Sequence, residues 1–230
     1  MLLVLVLTGC APIADEALAD VVVDAPGADP STAFADPMRA VNGVRGGGET
    51  MGSTDVYSLD YTNRPYVTLR WSGRRVTNGP GVDLVVFENA FRVSASADDY
   101  FMDPIVVAVS LDGQRWVELP HHYLAHDPST YSARIEDWMG FAGVTPVIVN
   151  DDTNRMSWLD PRAGGDAFDL DELAADGDAG AIRAMGFRYV RLTSAAIVVN
   201  PDTDADYPHD PASNGADIDG VAARGLVGDP

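Results

Sequence analysis

Beyond residue 60 the apolar residues of this chain arrive in short runs, each closed by Gly, Pro, Asn or Asp, and this punctuation constrains the fold more than any other feature. Runs so brief suit β-strands, which need only about 4–8 residues, and are too short for most helices. Residues 66–71 (YVTLRW) alternate, with Val67, Leu69 and Trp71 on one face and Thr68 and Arg70 on the other. Residues 82–87 (VDLVVF) are nearly continuously apolar, as in a strand covered on both faces. Residues 105–111 and 115–119 flank Asp112-Gly113, a dipeptide that supplies the positive φ angles of a type I′ hairpin turn and places Trp116 in the core behind it. Residues 187–192, 195–199 and 218–223 read as further strands, with Asn42-Gly43, Asn78-Gly79 and Pro80-Gly81 as turns. Only residues 169–175 (DLDELAA) carry a helical pattern. The expected fold is all-β, a β-sandwich or jelly roll.

Residues 11–37 are rich in Ala, Asp and Pro, show no usable periodicity and read as a flexible tether. Residues 38–230 are then a single β-sandwich domain. The charge balance is lopsided: 35 acidic residues against 15 basic ones, a net of −20. Every basic residue is Arg, and 29 of the acids are Asp. Asp is a poor helix former that favours turns, caps and hard-cation sites. A surface this acidic repels phosphate backbones, so no nucleic-acid partner is expected.

The first seven residues, MLLVLVL, run into Leu7-Thr8-Gly9-Cys10. That tetrapeptide resembles the bacterial lipobox, in which small residues precede a cysteine that is lipidated and becomes the mature N-terminus. Cys10 is the chain's single cysteine and has no internal disulfide partner. The resemblance implies a signal segment over residues 1–10, export, and attachment to a membrane through the lipid alone. Ala11 at the next position resembles the outer-membrane sorting signal of Gram-negative lipoproteins, which points to the outer membrane or cell surface. No charged residue precedes the apolar run, so the start codon is expected upstream of Met1. No other run approaches the ~20 apolar residues of a membrane span.

Two further segments carry a family likeness. The run from Val109 to Trp116 (VSLDGQRW) resembles a hairpin of discoidin-like, galactose-binding jelly rolls, and the run from Arg188 to Leu192 (RYVRL) resembles a later strand of the same superfamily. A wider likeness rests on GPGVDLVVFEN at 79–89, GVTPV at 143–147, GGDAFDL at 164–170 and DIDGVAA at 217–223. These resemble a family of bacterial cell surface proteins. The resemblance implies fold and location and transmits no ligand. Phe141 stands where that family carries a cysteine, so a disulfide there is absent from this chain.

Carboxylates dominate the candidate sites. Asp166 and Asp169 flank Phe168; Asp202 and Asp204 alternate in PDTDAD; Asp217 and Asp219 alternate in ADIDG. In an extended segment residues i and i+2 share a face, so such pairs can offer two carboxylates to one calcium ion, which wants about 6–8 oxygens. The DIDG strand also resembles the last strand of calcium-stabilised carbohydrate-binding jelly rolls. Glu88 and Asn89 follow directly on a buried run, where a carboxylate must pair with an Arg such as Arg70 or Arg191, take backbone donors, or face a ligand. Trp138 and Trp158 lie in Gly- and Asp-rich segments and are candidates for a ligand-stacking platform. His121, His122 and His126, bracketed by Pro120 and Pro128, read as a surface loop.

No nucleophile elbow is present, and no cysteine besides Cys10. The leading expectation is therefore a lipid-anchored binding module for a glycan or another small extracellular ligand, with structural calcium. The alternatives are a carbohydrate-active hydrolase using Asp and Glu, and a structural or adhesion lipoprotein or accessory of nutrient uptake.

Overall fold

The computed structural model describes residues 16–94 and 98–229. Two five-stranded antiparallel sheets organise them. Their strands are β1 (Ala17–Leu18), β2 (Val21–Asp24), β3 (Tyr57–Ser58), β4 (Tyr66–Arg70), β5 (Leu84–Glu88), β6 (Ile105–Ser110), β7 (Val117–Glu118), β8 (Asp166–Phe168), β9 (Tyr189–Ser194) and β10 (Asp217–Ala223). The first sheet runs β1-β10-β5-β8, with β3 also on β10; the second runs β7-β6-β9-β4-β2. One α-helix, α1 (Gly177–Met185), joins several short 3-10 turns among the described residues. The fold is all-β.

The two sheets share one core. Leu84, Val86, Ile218 and Val221 of the first sheet and Val67, Leu69, Val107, Val109, Val190 and Leu192 of the second belong to the same buried cluster. Strand β9 shows the alternation that places them: Val190, Leu192 and Ser194 are buried while Tyr189, Arg191 and Thr193 are partly exposed. Central strands β5 and β6 are buried throughout because each has a second apolar layer outside it. Val85 and Phe87 pack on Val147 and Val149 of the long segment crossing the first sheet. Val106 packs on an aromatic cluster of Tyr123, Trp138, Phe141 and Tyr207. Gly164 and Gly165 make that crossing possible, both at φ near +75° (75° and 73°). A Cβ on Gly164 would stand 1.9 Å from the carbonyl oxygen of Pro146.

Several local expectations give way. Asp20, Val21 and their neighbours are not a tether: Ala17 and Leu18 pair with Ala223 and Ala222, and Val21 and Val22 pair with Arg70 and Leu69. Trp71 Nε1 donates to the Ala17 carbonyl at 2.9 Å, and Ala19 is 1% exposed. Strands of two and four residues are too short to leave a periodic signal. The Asp112-Gly113 link is not a two-residue turn, since only Gly113 has positive φ (74°). Ser110 Oγ accepts the Gly113 N–H and Asp112 Oδ1 accepts those of Gln114 and Arg115, each at 2.9 Å, so side chains close a longer loop. Trp116 is consequently half-buried, under the Arg191 guanidinium at 4.1 Å. The helical pattern at 169–175 yields only a 3-10 turn, Leu170–Glu172, capped by Asp169, and α1 follows it. Residues 195–199 hold a 3-10 turn, Ala195–Ile197, and only Val199 reaches a strand, Val199–Asn200.

Candidate functional site

Strand pairing brings the site together. Ile218 sits opposite Glu88, so Glu88 at the end of β5 lies beside Asp217 at the start of β10, and the Asp217 N–H donates to Glu88 Oε1 at 2.9 Å. Asn89, the next residue, donates from Nδ2 to Asp217 Oδ2 at 3.3 Å and to the Ser53 carbonyl at 3.1 Å. Ser58 Oγ on β3 donates to Asp217 Oδ1. Asp103, just before β6, takes the Ser213 hydroxyl at 2.7 Å and the Tyr61 hydroxyl at 3.4 Å. Glu88, Asp103 and Asp217 line one pocket of about 200 Å³, with Asn89, Ser213 and Asn214. Phe91 and Phe101 form its apolar side, their ring centroids 5.1 Å apart, and Phe101 is 41% exposed.

Electrostatically the pocket is one-signed. Among the described residues no Arg, and no His, lines it. Glu88 is 2% exposed, and its Oε2 has no hydrogen-bond partner among the described residues. Burial, reinforced by the charge of Asp103, holds the Glu88 carboxyl well above its usual range. Burial raises Asp103 to about 6, against the hydrogen bond from Ser213, and raises Asp217 as well. Glu88 and Asp103 each hold a proton more tightly than a free carboxyl, and the three acids titrate as a coupled group.

Two of the three acid pairs read from sequence are drawn to different partners. The register shifts between Ile218 and Gly220, and this bulge at Asp219 separates it from Asp217. Asp219, 1% exposed, instead accepts the Arg45 N–H, and burial raises it to about 7. Asp166 is buried against the Val144 and Thr145 N–H groups, and burial raises it to about 6. Asp169 is occupied by the Asp171 N–H. Asp202 and Asp204 are exposed on one turn, Asp204 at φ 56°. Among the described residues no three His, Cys, Asp or Glu side chains are arranged to hold one metal ion.

The aromatic candidates lie elsewhere. Trp138 is 1% exposed, stacked on Tyr123 at 4.0 Å between centroids and donating from Nε1 to the Ser132 carbonyl; it is a core residue. Trp158 is half-buried and bonded to Asp151 Oδ1 at 2.8 Å, in a separate depression beside Arg155 and Met156. Among the described residues Glu88 has no arginine partner: Arg191 lies between the Tyr66 and Trp116 rings, at 4.2 and 4.1 Å. His121 is half-buried against Phe141 and Tyr207. A broader depression of about 500 Å³ along Pro120, His122 and Val199 contains no buried charged group. Sequence reading reached Glu88, Asn89 and Asp217 but missed Asp103, Ser213 and Asn214. The Asp-Pro step at 103–104, ahead of an apolar run, was the available signal for Asp103. Cys10 lies outside the described residues. No helix among those residues is long and apolar enough to cross a membrane. Comparison with protein-family models, curated proteins and solved structures gives no match.

Proposed function

We propose that this protein is an exported, lipid-anchored binding module built on a galactose-binding-like β-sandwich, and that it takes a glycan or another small extracellular ligand in the Glu88–Asp103–Asp217 pocket. The observation that carries this reading is the composition of that pocket. Planar polar side chains (Asn89, Asp103, Asn214) and a hydroxyl (Ser213) line the pocket together with the part-exposed ring of Phe101. Hydroxyl-rich ligands need that combination of hydrogen-bond partners on one side and a ring face on the other. The sandwich and the family likeness belong to the proposal, supported by the core that both sheets share. Calcium belongs to it at Asp202 and Asp204, whose carboxylates are exposed on one turn and could be joined there by carbonyl oxygens. A glycan-array screen of the protein, with and without calcium, tests the reading. Binding that disappears on Asn89→Ala supports it, and an empty array overturns it for glycans.

Hydrolysis is the second reading, favoured by one observation: two neighbouring acids, Glu88 and Asp103, are both held above the usual carboxylate range, as a general acid must be. Burial weighs against it. A catalytic acid must come within hydrogen-bond reach of the bond it protonates, and Glu88 is 2% exposed. Release of reducing ends from any bound glycan would reverse the order of the two readings.

A further inference from the structure

Independently of the Glu88 pocket, we infer that the outer face of the second sheet is a further binding surface, and that it takes an oligosaccharide bearing a hexuronate, whose carboxylate pairs with Arg191. The register builds this surface. Val67 and Leu69 of β4 and Val190 and Leu192 of β9 belong to the shared core. Tyr66, Thr68 and Arg70, with Tyr189, Arg191 and Thr193 beside them, therefore lie on the opposite face. Arg191 stands across from Thr68 on one side and from the small Ala108 of β6 on the other. Its guanidinium is stacked between Tyr66 and Trp116, at 4.2 and 4.1 Å from the ring centroids. Its Nε donates to Thr68 Oγ1 at 3.0 Å.

What this leaves over is the outer edge of the fork. Eight of the chain's 15 arginines hold a carboxylate, whereas Arg191 and Arg70 hold none among the described residues, in a chain with 35 acids. The two Nη groups of Arg191 are not sealed in either. The residue is half-buried, and none of its atoms is among the buried polar atoms that lack a partner. Two parallel N–H donors in one plane complement a carboxylate, and the stack fixes them before a ligand arrives, so little side-chain freedom remains to be lost on binding. Arg70, two residues along from Thr68 on the same face, adds a second positive charge. Carboxylates of this region are engaged elsewhere: Asp24 accepts the Tyr66 hydroxyl at 2.8 Å, Asp229 is held by Arg188, and Glu118 lines the depression beside Tyr207. Salt screens exposed charges beyond about 8 Å, so two adjacent arginines outweigh the distant part of the net −20. Tyr66, Trp116 and Tyr189, all half-buried, offer ring edges to the C–H groups of a pyranose, and Thr193 offers a hydroxyl.

Calorimetric titration of the whole protein with trigalacturonic acid, its methyl ester and hexaglutamate separates the outcomes. The acid should bind roughly tenfold more tightly than the ester, or better. Arg191→Lys keeps the charge but removes the fork, and should weaken binding of the acid about tenfold while leaving that of the ester unchanged. Arg70→Gln lies outside the stack and should weaken the acid severalfold with an unaltered melting curve, which keeps the test open if the Arg191 variant folds poorly. Asn89→Ala, in the Glu88 pocket, should leave binding of the acid as it was. Equal affinity for acid and ester overturns the inference, as does binding indifferent to both arginine variants. Loss of the acid on Asn89→Ala also overturns it, by moving that ligand to the Glu88 pocket. Hexaglutamate bound more tightly than trigalacturonic acid replaces the sugar by an acidic peptide. Binding of neither galacturonate overturns the inference and leaves the Glu88 pocket to its own test.

Discussion

Asp219 receives the backbone N–H of Arg45 on both carboxylate oxygens, at 3.0 and 2.9 Å, in a position 1% exposed. The bond ties the loop at Arg45 to β10 across 174 residues of chain. It does not fully offset the loss of water, because the carboxyl is raised to about 7. A carboxyl whose folded pKa exceeds its unfolded value of 3.8 holds its proton more tightly in the folded state. Stability is then full below the unfolded pKa and is lost as pH rises through the folded one.

Thermal unfolding should accordingly show a melting temperature that rises as pH falls from 7.5 to about 5. Asp103 and Asp166, each raised to about 6, act in the same direction. Over that window the Asp219 share is on the order of 2.5 kcal/mol, or roughly 5–10 °C for a chain of this size. Asp219→Asn should flatten the profile. A melting temperature highest above pH 7 would contradict the buried, protonated state of these acids.

Removal of residues 16–24 should destabilise the domain by about 2 kcal/mol or more, because Trp71 Nε1 loses its acceptor and the core loses the buried side chain of Ala19. A tether could be deleted with no change in the denaturant midpoint.

Trp138→Ala should cost about 3–5 kcal/mol, as for a large aromatic taken from a packed cluster. Trp116→Ala should cost only about 1 kcal/mol, the scale of a half-exposed cation–π contact with Arg191. The contrast is read from urea unfolding of the two variants. Equal costs would place Trp116 in the core after all.

Calcium at ~1 mM should stabilise the protein by about 1.4 kcal/mol if its dissociation constant is ~0.1 mM, a shift of roughly 3–6 °C. Asp204→Asn should abolish the shift, while Asp219→Asn should leave it intact. A melting curve indifferent to calcium and to chelator would remove the ion from the proposal.

Cys10→Ser should release the protein from the membrane fraction of expressing cells. Unchanged sedimentation with membranes would reject the lipobox.

Strand runs were legible wherever the chain lies against apolar layers, as at β5, β6 and β9, because burial there dictates composition. Register was not. Alternation in ADIDG predicts Asp217 and Asp219 on one face, and a single bulged residue overrides it. Loop closure at Asp112 was invisible for a related reason: side-chain bonds to backbone N–H groups replaced the expected backbone turn. In the site, Glu88 announced itself by following a buried run. Asp103 comes into its neighbourhood only through the packing of loops distant in sequence. Trp138 is a platform candidate in sequence because its neighbours there are polar, whereas its neighbours in space are Tyr123, Phe141 and Tyr207.

Pairing of Ala17 with Ala223 sets an order on how the chain reaches its native state. The first described strand has no partner until β10, about 200 residues later, is available, and β10 fills the place between it and β5. Closing so long a loop carries an entropic cost that nearer contacts must first offset, so the first sheet is expected to complete late and slowly. A chain emerging from its amino end cannot close this sheet early; the sheet stays open along one edge until Ala223 has emerged.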